Sequence, residues 1–82
     1  MKVLKFYAEW CGPCKSLTKI LEQYYTGDIP VEEVDIDQNN ELAKQYGIRS
    51  VPVCVLLDDN GVEIRRQAGM MMIDQFENFL KG

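Results

Sequence analysis

Two cysteines separated by Gly12 and Pro13 stand just past a short stretch rich in Val3, Leu4, Phe6 and Tyr7, where the chain passes into helical periodicity. This junction constrains the fold more than any other feature, because it sets a strand, a break and a helix within the first 25 residues. It also puts both sulfurs at the start of the helix. Residues 2 to 8 are too few for a stable helix before the Gly-Pro break and are expected to form a strand. Leu17, Ile20, Leu21 and Tyr24 fall at i, i+3, i+4 and i+7, predicting a helix over 14–25 with Lys15, Lys19, Glu22 and Gln23 outside. Pro13 suits the first turn, where its missing N–H costs nothing, and Gly27 is placed to end the helix.

Pro30 to Ile36, with Val31, Val34 and Ile36, predicts a second strand, and Asp37 to Asn40 can turn the chain and cap a short helix carrying Leu42, Ala43 and Tyr46 inward. Gly47 is expected as a left-handed cap with Ile48 folding back on it. Val51 to Leu57 is almost wholly apolar, as a strand buried on both faces would be, and Asn60-Gly61 joins it in a hairpin to Val62–Arg66. Ile73, Phe76, Phe79 and Leu80 predict a closing helix over 73–81. The order is βαβαββα. A crossover helix makes the first two strands parallel and the hairpin adds two antiparallel ones, so a mixed four-stranded sheet with helices on both faces is expected, an α/β fold in one domain spanning 1–82.

At 82 residues there is room for one core. A net charge of −4 with no basic stripe argues against nucleic acid. The opening Met1-Lys2-Val3-Leu4-Lys5-Phe6 is broken by Lys5 before it could serve as a secretory signal, and no apolar run approaches a membrane span. A cytoplasmic setting is expected, and there a close cysteine pair is more often catalytic or metal-binding than structural. Three cysteines, an odd number, do not make a disulfide framework.

The pair can do one of two jobs, or neither. At a helix N-terminus Cys11 meets unpaired N–H groups and the positive end of the dipole, so it should ionise below the ordinary thiol value and supply a nucleophile. Cys14, one turn in, could then attack the resulting mixed disulfide. Zinc would need four Cys or His ligands, whereas this chain has no histidine and one further cysteine, Cys54. The third reading is that both are small core hydrophobes.

The string Ala8-Glu9-Trp10-Cys11-Gly12-Pro13-Cys14-Lys15 resembles the active-site signature of the thioredoxin family. Asp35-Ile36-Asp37-Gln38-Asn39, Tyr46 to Pro52, Asn60-Gly61 and Gly69 follow in the family's order, so the resemblance covers essentially the whole chain. It implies a thiol-disulfide oxidoreductase in which Cys11 attacks, Cys14 resolves, Trp10 walls the site, and Gly12 and Pro13 shape the loop. Pro52 matches the family's cis-proline, leaving the Val51 backbone to pair with an extended substrate, while Gly69 and Met70 border the groove. No cofactor is expected, since no Gly-rich nucleotide fingerprint is present and electrons must arrive from a partner, by resemblance an NADPH-dependent thioredoxin reductase. Disulfide-containing proteins are the implied substrates and a monomer the implied state. Two alternatives stand beside this: a specialised or glutaredoxin-like donor to one enzyme, and a binding module whose thiols are incidental.

The chain departs from the family in several places. It starts directly at the strand leading to the cysteines, without the family's N-terminal strand and helix, which should leave residues 30–36 as a sheet edge guarded by Glu32 and Glu33. Lys19 stands where a kinking proline is frequent. Cys54 is either a buried core thiol or a regulatory or dimer-forming one, and Met70 to Met72 either adapt to partners or fill gaps beneath the last helix. Lys5 occupies the place of a buried acid in the family, with Glu33 at that of its basic partner. The pair could move the proton of Cys14 if buried, or be solvated surface charge.

Overall fold

A computed structural model describes residues 1–82. Its elements are β1 (Lys2–Tyr7), α1 (Gly12–Tyr24), β2 (Val31–Asp35), α2 (Asn40–Gln45), β3 (Val53–Leu57), β4 (Glu63–Ala68) and α3 (Ile73–Lys81). The sheet order is β2-β1-β3-β4. β1 and β2 are parallel, whereas β1–β3 and β3–β4 are antiparallel. Alternation along the strands separates two cores. On one face Val3, Cys54 and Leu56 pack against Leu17 and Leu21 of α1 and Phe76 and Phe79 of α3. On the other, Leu4, Phe6, Val34, Val53, Val55 and Leu57 meet Leu42 and Tyr46 beside α2. All of β3 is buried, as its apolar run predicts. β2 is an edge with Glu32 and Glu33 exposed.

Several expectations about the ends of elements need correction. α1 stops at Tyr24 with Tyr25 in an extended conformation, and Gly27 does not have a positive φ. Tyr24 is 58% exposed, not part of the inward face. The extended residue turns Tyr25 inward instead, edge-on to Phe76 with its hydroxyl donating to the Ile29 carbonyl at 2.8 Å. A side chain at Gly27 would strike that ring at 2.6 Å, so the glycine makes room and does not cap. β4 begins one residue later than expected and continues to Ala68, because its pairing with β3 extends as far as Val53 opposite Ala68. β3 itself begins at Val53, after Pro52. The other caps follow the sequence. Asn39 accepts from the Leu42 amide, and Gly47, at φ +66°, lets the Ile48 amide reach the Ala43 carbonyl at 2.9 Å.

Candidate functional site

β1 ends at Tyr7, and a turn closed by the Cys11 amide on the Ala8 carbonyl at 3.1 Å brings the chain into α1. Cys11 is the N-cap of that helix. Its Sγ accepts from the Cys14 amide at 3.1 Å, filling the role that a Ser or Asp oxygen usually has. Cys11 and Cys14 form a disulfide, with Cα atoms 5.3 Å apart. Both are nearly buried, against Ala8, Tyr7, Ile36 and Val51. Two residues in a helical turn hold two sulfurs at bonding distance, an arrangement suited to reversible opening and closing. A metal reading finds no support in the donor set, for no cluster of three or more His, Cys, Asp or Glu side chains is present.

The neighbours assemble from three further segments. The Val51–Pro52 peptide is cis. Val51 lies outside β3, its N–H and C=O make no backbone hydrogen bond, and its carbonyl oxygen is 3.7 Å from Cys11 Sγ. In the disulfide that sulfur has no proton to donate, so this is a contact and not a hydrogen bond. Gly69, at φ +93°, donates to the Pro52 carbonyl at 2.8 Å and so ties the Met70 loop to the same place. Met70 and Met72 are exposed, whereas Met71 is buried and fills the gap beneath the last helix. Trp10 is 69% exposed and its Nε1 donates to Asp37 at 3.0 Å. A Cβ at Gly12 would meet nothing, so the space there faces outward. A family model described as Thioredoxin matches residues 1–82.

The chain belongs to the thioredoxin family. It is 32% identical over 81 residues to a thioredoxin of Haemophilus influenzae, covering 95% of this chain and 75% of that one. With a thioredoxin of Chlamydia trachomatis the identity is 41% over 71 residues, covering 83% and 68%. The solved structure of a mutant thioredoxin from Halobacterium salinarum matches with a TM-score of 0.87 at 35% identity, covering 96% of this chain and 70% of that one. The fold is thus thioredoxin-like, and with its close cysteine pair the chain is a thiol-disulfide oxidoreductase. No helix of this family member is long and apolar enough to cross a membrane.

Behind the pair, the fold brings Lys5 and Glu33 together on adjacent parallel strands. Lys5 is fully buried whereas Glu33 is exposed, so the reading as solvated charge fails for the lysine and not for the glutamate. Lys5 Nζ donates to Glu33 at 3.0 and 3.2 Å, while the Glu33 side chain remains 44% exposed. Lys5 also donates to Thr18 Oγ1. Partial desolvation and then the carboxylates of Asp35, Glu9 and Glu33 hold the nearby Tyr7 hydroxyl above its ordinary value. Thr18 and Asp37 were not legible as site residues. Thr18 could have been found from its i+4 spacing to Cys14, whereas nothing local marks Asp37 as the partner of Trp10.

Proposed function

We propose that this chain acts as a single domain of residues 1–82 and reduces disulfides of other proteins, with Cys11 as attacking thiol and Cys14 as resolving thiol. The observation that carries the reading is the Cys14 amide aimed at Cys11 Sγ across the first turn of α1. In the reduced protein that N–H and the positive helix end favour the Cys11 thiolate. The thiolate attacks one sulfur of a substrate disulfide, the other substrate sulfur leaves as a thiolate that takes a proton from solvent, and the attacked sulfur stays bound to Cys11 as a mixed disulfide. Cys14 then attacks Cys11, releasing the second substrate thiol and regenerating the Cys11–Cys14 bond. Gly12, open on its outer side, and Pro13, in the first turn, shape the loop that the substrate approaches. The free backbone of Val51 pairs with an extended substrate segment beside Pro52, and Gly69, Met70 and Trp10 flank it. Lys5 and Glu33 serve proton transfer at Cys14.

The chain works as a monomer in the cytoplasm and is recharged by an NADPH-dependent thioredoxin reductase, with no cofactor of its own. Reduction of insulin disulfides, driven in parallel by a thioredoxin reductase and by glutathione with its reductase, tests this. Turnover with the first system and little with the second is expected. Turnover that survives Cys11→Ser would sink the assignment, and turnover with glutathione alone would move the protein to a glutaredoxin-like electron source.

A further inference from the structure

Lys5 is the one charged side chain that the fold buries completely. Removing an ammonium from water costs several kcal/mol, a cost that an apolar residue at the same place would avoid. The explanation therefore has to lie in what surrounds the cation. Thr18, which accepts one of its hydrogen bonds, is one helical turn beyond Cys14 on the same face of α1. The cation is thus moored to the helix that carries the second sulfur. Its other partner, Glu33, opens with Cys14 and Thr18 into a cleft of about 360 Å³ along α1. Lys5 is sealed from solvent, then, while its carboxylate partner reaches solvent through a space that also touches Cys14.

We infer that Lys5, positioned by Thr18, is the counter-ion of Cys14 in the second half of the exchange, and that Glu33 carries the proton between Cys14 and solvent through this cleft. The inference rests on Cys14 being the resolving thiol. In that step the Cys14 S–H bond breaks and its proton passes to the Glu33 carboxylate. The sulfur's electron pair forms the bond to Cys11, and the Cys11–substrate bond breaks. The substrate sulfur leaves as a thiolate and takes a proton from solvent. Two electrons pass from the cysteine pair to the substrate, so no further reductant is required. A cation fixed in a dry environment stabilises an adjacent anion more than the exposed, solvated Lys15 and Lys19, which line the same cleft, can. The other ionisable groups on this face are Tyr7, whose ring centroid is 5.4 Å from Nζ, Glu9 and Glu22 at the cleft, and Cys54 across from Lys5 on β3. α3 contributes only apolar side chains to the core there, Phe76 and Phe79 with Ile73 and Leu80 beside them. At Cys54, opposite Lys5 on β3, burial pushes the thiol up to about 12, Lys5 pulls in the opposite direction and Glu33 adds to the rise. Fully buried and absent from the cleft that Cys14 and Glu33 share, Cys54 has the cation but no such route for its proton.

The test is the reaction of the reduced protein with 5,5′-dithiobis(2-nitrobenzoate), followed by stopped flow across pH. A first burst of coloured thiolate reports attack by Cys11 and a second reports closure by Cys14. Lys5→Met is expected to slow the second phase at neutral pH by about tenfold, corresponding to about 1.4 kcal/mol, with the first phase unchanged within about twofold. Lys5→Arg should recover much of the loss. Thr18→Val should give a smaller slowing of the same phase, and Glu33→Gln should flatten its pH profile. Second-phase profiles that superimpose for wild type, Lys5→Met and Glu33→Gln would overturn the inference. Should Lys5→Met not fold, Thr18→Val and Glu33→Gln decide the matter, and an unaltered second phase in both has the same meaning. If the wild type itself shows no second phase, the assignment of Cys14 as resolving thiol fails, and the inference that rests on it falls with it.

Discussion

Cys14 and Cys54 are both almost inaccessible sulfurs on apolar surroundings, yet the fold treats them differently. Cys14 lies in the first turn of α1, has Cys11 one turn away and borders a cleft that also holds a half-exposed carboxylate. Cys54 sits in the middle of β3, between Lys5 on β1 and Gln67 on β4, with no sulfur in reach. Burial alone raises a thiol and silences it. What makes a buried sulfur usable is a partner sulfur, a helix end facing that partner and a path for the proton. The contrast also separates two settings of one cation, since Lys5 stands opposite Cys54 in the sheet and is tied through Thr18 to the helix that carries Cys14.

Alkylation of the reduced protein at neutral pH probes the contrast most strongly. A thiol held at about 12 is almost wholly protonated, while a helix-capping thiolate is not. Cys11 should therefore react about a thousandfold faster than Cys54 or more, as read by mass spectrometry of quenched samples. Rates within tenfold of each other would break the comparison.

Stability at alkaline pH comes next in size. The unfolded chain releases the Cys54 proton near the ordinary thiol value of 9.0, whereas the folded one holds it to about 12. Folding is thus favoured in full below about 9 and loses stability as pH rises toward 12, by up to about 1.4 kcal/mol per unit. Urea melts at stepped pH should show a shallower decline for Cys54→Val than for wild type, and parallel declines would mean that the burial of this thiol is not felt. At neutral pH the same substitution, which adds about one methyl group at a fully buried position, should cost about 1 to 3 kcal/mol and leave insulin reduction unchanged. Lost activity in a well-folded Cys54→Val would give that thiol a role it is denied here.

The smallest effect is expected at Trp10. Its indole donates to Asp37 in the open, where water replaces the acceptor readily. Asp37→Ala should cost about 0.5 to 1 kcal/mol and alter reduction rates by about twofold or less, with Trp10 fluorescence reporting a looser loop. A tenfold rate loss would show that this tie holds the site in shape.

Much of this protein can be read from local pattern alone. The helical spacing around Leu17 and Leu21, the apolar run at β3, Asn60-Gly61 and the cap at Gly47 each follow from interactions within a few residues, as does the placement of two sulfurs at the start of α1. The errors fell where a distant contact overrode a local signal. Gly27 looks like a helix stop until the ring of Tyr25 is seen to need its space. β4 outruns its own alternation because β3 supplies partners as far as Val53. The sequence by itself determined the order of elements, the sheet they could make and the chemistry of the Cys11–Cys14 pair, because periodicity and a four-residue motif are properties of neighbours along the chain. Only the tertiary structure decided that Lys5 is buried, that Glu33 is its partner and that Thr18 moors it beside Cys14. Burial and ion pairing depend on which strands lie side by side, and strand register is settled by packing across the whole core.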